Sequence, residues 1–396
     1  MREDLIISNV ISALKSVLKH DENKPIALSQ PWFNGNEWKY VKSCIDEGWV
    51  SSSGEYVDRF EANLAEFTGV KHAVAVVNGT AALHISLLLS GVKQGDEVLI
   101  PALTFVAGAN AICYLKAVPH FIDSDDKSLG VDANKLCSYL KDTAYMKGNV
   151  CYNKKTQRPI RAVIAVHTFG HPADLDALLE VCRKFNLELI EDCAQGLGSY
   201  YKNIHVGNFG KVSAFSFNGN KIITTGGGGA VVTNSLEVAK IAKHITKTAK
   251  IPHPWFFIHD SIGYNYRMPN INAALGCAQL ENIEKFLKNK RALAKKYQEA
   301  FENLEGVSFF KEPEYAKSNY WLNTIILNEE YSFIRDLLLV KTNSQKIGTR
   351  PPWMLLNKLP MFRDCPSMDL KTSEYLEKSI INIPSSTFLG EGYVKE

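Results

Sequence analysis

Val212-Ser213-Ala214-Phe215-Ser216-Phe217-Asn218-Gly219-Asn220-Lys221-Ile222-Ile223-Thr224-Thr225-Gly226-Gly227-Gly228-Gly229 runs from a short apolar strand into a polar turn, one lysine and four glycines. Most lysines are solvated surface charges. Lys221 instead stands between Phe215, Phe217, Ile222 and Ile223, beside a tract that lets backbone approach a ligand closely at an entropic cost a plain loop would not need. Upstream by 29 residues (221 − 192), the apolar run Leu187 to Glu191 ends in Asp192. An amine and a carboxylate thus sit at the ends of two buried strands.

Working outward, strand and helix patterns alternate from about residue 70. Strands are expected at 73–77, 97–100, 120–123, 162–166 and 187–191. Helices are expected at 80–90, 107–115 and 175–185. This order predicts an α/β fold with a mostly parallel sheet sandwiched by helices. Ligands of such sheets bind outside the carboxyl ends of the strands. Asn78-Gly79-Thr80, Phe105, His167, Asp192 and 218–221 all fall at such ends. A polar excursion covers 124–127 and a Lys/Asn-rich segment 141–158. A lysine-rich helix is read around 281–304, and Pro351-Pro352 and Asn382-Ile383-Pro384 mark turns. The expected organisation is an N-terminal amphipathic helix and lead-in (1–27, helix 3–20), a large cofactor-binding domain (28–265) and a smaller C-terminal α/β domain (266–396).

Composition narrows the function classes. The chain has 396 residues, 45% hydrophobic and 22% charged, with net charge +3 and scattered basic residues. That is globular usage and offers no nucleic-acid footprint. The eight cysteines form no CxxC pair and read as reduced packing residues of a cytoplasmic protein. Leu5-Ile6-Ile7 is broken by Ser8 and Asn9 and lacks a small-residue cleavage site, so it does not read as a secretory signal. No stretch approaches a membrane span.

A lysine and an aspartate so placed suit pyridoxal phosphate, held by Lys221 as a Schiff base, with Asp192 keeping the pyridine nitrogen protonated. Two unit charges about 4 Å apart at an effective dielectric of about 20 are worth ~4 kcal/mol. That raises the nitrogen's pKa by about 3. The protonated ring accepts electrons when an amino acid loses its α-proton, and Lys221 is placed to carry that proton. Asp192 by itself also fits a helix N-cap. Gln195 is a candidate for the cofactor's phenolic oxygen. Gly79 and Thr80, at a helix N-terminus, and Ser216 are candidates for the phosphate, and Phe105 for stacking on the ring. No GxGxxG follows a strand and no GxxxxGK[ST] occurs. His167, His171 and Asp174 hint at a metal but lack helical spacing and a further ligand, so no metal is expected.

With these residues in place, the chain resembles the DegT/DnrJ/StrS nucleotide-sugar aminotransferases of fold type I. Residues 216–229, Asn78-Gly79-Thr80-Ala81-Ala82-Leu83, Glu191-Asp192-Cys193-Ala194-Gln195 and Gly263-Tyr264-Asn265-Tyr266-Arg267-Met268 resemble four of its blocks in order. Trp32-Phe33-Asn34-Gly35-Asn36-Glu37, Gly48-Trp49-Val50-Ser51-Ser52 and Gly348-Thr349-Arg350-Pro351 resemble the legionaminic-acid-pathway branch. One departure is Gly227, where many relatives have glutamate. The resemblance implies pyridoxal phosphate on Lys221, with Asp192, Gln195, Gly79, Thr80, Ser216 and Phe105 in the roles above. It also implies that Asn265 reaches the neighbouring subunit's phosphate, hence a homodimer with shared sites. The implied reaction moves an amino group from glutamate to C4 of a UDP-linked 4-keto-6-deoxy-N-acetylhexosamine, for a diamino or nonulosonic sugar of a bacterial surface glycan. Arg350, Trp353, His253 and Trp255 are candidates for gripping substrate. A non-catalytic regulatory protein of the same fold, or an aminotransferase for another keto substrate, are the alternatives.

Overall fold

The computed structural model describes residues 2–19 and 24–391. A nine-stranded sheet forms the centre. We label its main strands β1 (His72–Val76), β2 (Glu97–Pro101), β3 (Val118–Ile122), β4 (Pro159–Val166), β5 (Glu188–Asp192), β6 (Val212–Ser216) and β7 (Gly229–Thr233). Their spatial order is β1-β7-β6-β5-β4-β2-β3. The pairs β6–β5, β5–β4, β4–β2 and β2–β3 are parallel. Central strands such as Val163-Ile164-Ala165-Val166 are apolar on both faces, as burial from both sides demands.

Strand β7 is the exception. It runs antiparallel between β1 and β6, so its first residue meets their carboxyl ends, and Gly229 pairs with both Val76 and Ser216. The glycine tract is thereby returned to the same end of the sheet as Asp192. The expected excursion at 141–158 is a hairpin instead, Ala144–Lys147 with Val150–Asn153, added antiparallel to β4. Its tip, Lys147-Gly148-Asn149-Val150, hides the strand pattern under polar residues.

Helices cover the sheet. The helix Gly79–Leu89 is apolar on nearly all sides, with Ala82, Leu83, Ile85 and Leu87 buried, which marks a helix enclosed on every face. Leu175–Phe185 is apolar on one face only, capped by Asp174 and ended by Asn186 in the left-handed region.

A second core gathers on a three-stranded antiparallel sheet, β8 (Val307–Phe309), β9 (Asn323–Leu327) and β10 (Ile380–Ile383), in the order β8-β9-β10. Helix Arg2–Leu18 joins this core through Ile6, Val10, Leu14 and Leu18, on the stripe its spacing predicts. Residue 20, the expected helix end, lies outside the described residues. The two cores draw on elements from both ends of the chain. The N-terminal helix packs with the C-terminal elements, and helix Asn270–Leu280 buries Ala273, Ala274 and Cys277 in the first core. Helix Ile283–Phe301 serves both cores, Phe286 the first and Leu293 and Tyr297 the second, and later residues such as Phe310, Trp321, Leu355 and Leu376 return to the first. Helical spacing runs unbroken through it, so no local signal separates the two.

Leu14 is wholly buried in the second core. Leu14→Ala should destabilise that core by about 2–5 kcal/mol, read as a lowered urea midpoint in its unfolding phase. A loss below about 1 kcal/mol would contradict the docking of this helix.

Candidate active site

Four strand ends, those of β1, β2, β5 and β6, meet at one mouth. A cavity of about 310 Å³ opens there, lined by Asn78, Gly79, Thr80, Phe105, Asp192, Gln195, Ser216 and Lys221, and closed by Trp321 and Trp353. The structure thus brings together all but one of the cofactor candidates, Asn265 being the exception. A wider groove of about 530 Å³, lined by Asp58, Glu61, Lys71, Lys240 and Lys243, lies along edge strand β1 and receives none of them.

Lys221 is presented by a closed loop. Phe217 N–H donates to the Gly228 carbonyl at 2.8 Å, and Thr225 N–H to the Phe217 carbonyl at 3.0 Å. The hydroxyls of Thr224 and Thr225 reach that same carbonyl at 3.3 and 3.4 Å. Phe215, Phe217, Ile222 and Ile223 are buried beneath it. The Lys221 Nζ lies 3.8 Å from the centroid of the Trp321 ring. Burial pushes the amine's pKa down to about 8, against the opposing pull of Asp192.

Asp192 and Glu191, neighbours on β5, face opposite sides of the sheet. Glu191 is fully buried and accepts hydrogen bonds from the N–H groups of Gly207, Phe209 and Gly210, each at 2.8 Å, and from Ser213 Oγ and His167 Nε2 at 3.2 Å. Asp192 faces the cavity and accepts from Ala194 N–H at 3.0 Å. Burial raises its pKa, while the Ala194 N–H and the charge of Lys221 oppose the rise. One carboxylate is saturated with donors. The other is left with capacity to hold a cationic group.

The remaining walls are polar where an anion would sit. Asn78 Oδ1 caps Ala81 N–H at 2.8 Å, which positions the helix start and leaves the Gly79 and Thr80 amides to the cavity side. Gly79 has no room for a side chain, because a Cβ would lie 2.7 Å from Ser216 Cβ. A Cβ on Gly229 would lie 2.5 Å from the Asn78 carbonyl carbon and oxygen. These contacts hold the amide edge against the Ser216 hydroxyl. At Gly227 a Cβ would meet nothing within 4 Å, so the departure there leaves the packing intact. Gln195 Oε1 accepts Phe169 N–H at 2.7 Å, leaving its amide NH2 as a donor. Amine, free carboxylate, amide donor, helix amides and aromatic walls together fit a phosphorylated pyridine aldehyde.

Other expected site residues lie elsewhere. Asn265 is exposed and bridges Lys247 through its backbone, so it does not reach this cavity. His253 and Trp255 sit on the loop of the short hairpin Lys250–Ile251/Ile258–His259, with Trp255 exposed. Arg350 is exposed and turned to Asn343 Oδ1 and the Thr349 carbonyl at 3.0 and 2.9 Å. Of the substrate candidates only Trp353 lines the cavity, stacked on Phe169 with centroids 5.0 Å apart.

The histidines do not form a metal centre together. His167 Nδ1 accepts Ala173 N–H at 3.3 Å, so its Nε2 carries the proton shared with Glu191. That spends both nitrogens, although His167, Glu191 and Cys193 lie near one another. His171 packs between the rings of Phe310 and Tyr320. Asp174 caps a helix and accepts the Tyr201 hydroxyl at 2.9 Å. Trp321 was not foreseen. It lies 100 residues beyond Lys221 (321 − 221), and only tertiary packing brings it over the amine.

The chain matches the model of the DegT/DnrJ/EryC1/StrS aminotransferase family over residues 33–396. It is 39% identical over 375 residues to a GDP-perosamine synthase of Vibrio cholerae, covering 94% of this chain and 96% of that one. A GDP-perosamine synthase of Escherichia coli O157:H7 is 39% identical over 343 residues, covering 86% and 88%. The aminotransferase TlmJ of Streptoalloteichus hindustanus superposes with a TM-score of 0.82 at 25% identity, covering 91% of this chain and 94% of that one. The chain therefore belongs to the DegT/DnrJ/EryC1/StrS aminotransferases, enzymes of fold type I that work with pyridoxal phosphate.

Proposed function

We propose that this enzyme moves an amino group from L-glutamate to C4 of a UDP-linked 4-keto-6-deoxy-N-acetylhexosamine, supplying an amino sugar for a bacterial surface glycan. The observation that carries the catalytic part is the buried Lys221 amine in one cavity with Asp192, a carboxylate not already saturated with donors. The UDP-linked substrate rests on the likeness of residues 32–37, 48–52 and 348–351 to the legionaminic-acid-pathway enzymes. A GDP-linked 4-keto sugar is the second reading, favoured by relatives named GDP-perosamine synthase.

In this reading Lys221 would hold the cofactor's aldehyde and, when free, would take up or return the donor's Cα proton. Asp192 would keep the cofactor's ring nitrogen protonated. Gln195 would donate to its phenolic oxygen, Phe105 would stack on it, and Gly79, Thr80 and Ser216 would hold its phosphate. Pyridoxal phosphate supplies the electron sink and carries the amino group between donor and acceptor. The aromatic walls Trp321 and Trp353 keep water from the reacting atoms.

The functional unit we propose is a homodimer. Trp255, Phe256, Phe257 and Ile262 are 73%, 58%, 80% and 86% exposed around one hairpin. So dense an apolar cluster is expected to be covered by another surface. The partner's cavity would then receive Asn265, His253 and Trp255, with Arg350 a rim contact to a substrate anion.

Borohydride reduction of the holoenzyme should place the cofactor on Lys221, as read by peptide mass; label on another side chain refutes the assignment. Lys221→Ala should abolish turnover while retaining the fold by circular dichroism. Asp192→Asn should lower kcat about a thousandfold, the equivalent of ~4 kcal/mol. The neutral amine is the nucleophile. Cofactor uptake by the cofactor-free protein should therefore slow about tenfold per pH unit below about 8 and level off above it. A flat profile from pH 6 to 9 would contradict the burial of this amine. UDP- and GDP-linked 4-keto sugars offered in parallel, with the aminated product identified by NMR, decide the nucleotide.

A further inference from the structure

Lys221 is covered by a side chain that is itself fixed from several sides. Trp321 is 5% exposed. Its indole N–H donates to the carbonyl of Asn220 at 2.6 Å, tying the ring to the residue before the lysine. Its backbone N–H donates to Asn319 Oδ1 at 2.7 Å. The carbonyl of Trp321 accepts from Nζ of Lys290, a buried lysine of helix Ile283–Phe301, at 2.7 Å. Asn319 in turn donates to the carbonyls of Gln195 and Leu197, both at 2.8 Å. The segment 319–321 is thus strapped to the turn that follows Asp192, and its ring stands over the amine at 3.8 Å.

This arrangement answers a need created by the site. An ammonium in this cavity has lost much of its hydration, and Lys221 forms no ion pair among the described residues. Asp192 is committed, on the reading above, to a positive nitrogen of its own. An indole face is the best neutral surface for a desolvated cation, because its quadrupole is negative above the ring. It makes no ion pair with the ammonium, which therefore stays readier to give up a proton than it would beside a carboxylate.

We propose that Trp321 is a positioning residue for Lys221: whenever the amine is not covalently engaged, the indole face holds it as a cation at one place in the cavity, from which it can give or take a proton. The inference rests on Lys221 being the cofactor lysine. It concerns only the amine and ring of this chain.

The test compares wild type, Trp321→Phe and Trp321→Leu as cofactor-free proteins, following the absorbance of bound pyridoxal phosphate as uptake proceeds from pH 6 to 10. Loss of the π face destabilises the ammonium, so the midpoint for W321L should fall by about one pH unit. W321F keeps a π face and should stay near wild type although it loses the bond to Asn220. Equal shifts in both variants would mean that Trp321 only fills space, and no shift or a rise in W321L would overturn the proposal. Should W321L not fold, Trp321→Met fills similar space without a π face and carries the same expectation. Borohydride labelling of each protein separates the two claims. Label away from Lys221 refutes the site assignment, whereas label on Lys221 with an unmoved W321L midpoint refutes only the role of Trp321.

Discussion

The active site depends on a lysine amine and a carboxylate being kept in one poorly hydrated cavity without neutralising each other. In a low dielectric two such groups gain most by pairing directly. Here the backbone prevents a simple pair. Asp192 ends one strand, while Lys221 rides on a closed loop beyond the next strand and is drawn to the face of Trp321. Burial then acts on both groups, lowering the amine's pKa and raising the carboxyl's. Each is left short of partners, and that deficit is what a cofactor with an aldehyde and a pyridine nitrogen can fill.

The contrast between Glu191 and Asp192 shows how the fold separates support from chemistry. Alternation along β5 sends adjacent acids to opposite faces. Glu191 gathers backbone amides of 207–210, Ser213 and His167, and so anchors the turn behind the sheet. Asp192 keeps open capacity on the cavity side. A buried carboxylate with five donors is stable as an anion and has nothing left to offer a ligand. His167, attractive as a metal ligand in sequence, is spent on the same anchor.

Close packing does comparable work at the phosphate end. Strand β7 runs against its neighbours, so Gly229 arrives beside Asn78 and Gly79 arrives beside Ser216 at distances that exclude a Cβ. The glycines are required there by contact. At Gly227, by comparison, a side chain would meet nothing, and the residue type is free to vary without cost to packing.

Much of this was legible in the order of residues, and the reason is local. Strand ends, a cap at Asn78, the Asp192 turn and the Lys221 loop each occupy a few consecutive residues, and parallel topology carries such ends to a common mouth. The hairpin at 144–153 escaped because its strands are short and its tip polar. The sharing of one helix between both cores escaped because its spacing is continuous. Arg350, a candidate for gripping substrate, is bonded to Asn343 and does not line the cavity of its own chain. By itself the sequence determined the fold class, the lysine–aspartate pair and the family, since these follow from periodicity and short motifs. Only the tertiary structure decided which distant side chains close over the amine. Trp321, Trp353 and Lys290 belong to segments whose own patterns record burial but not against what, and the partner in contact is set by how segments distant in the chain pack.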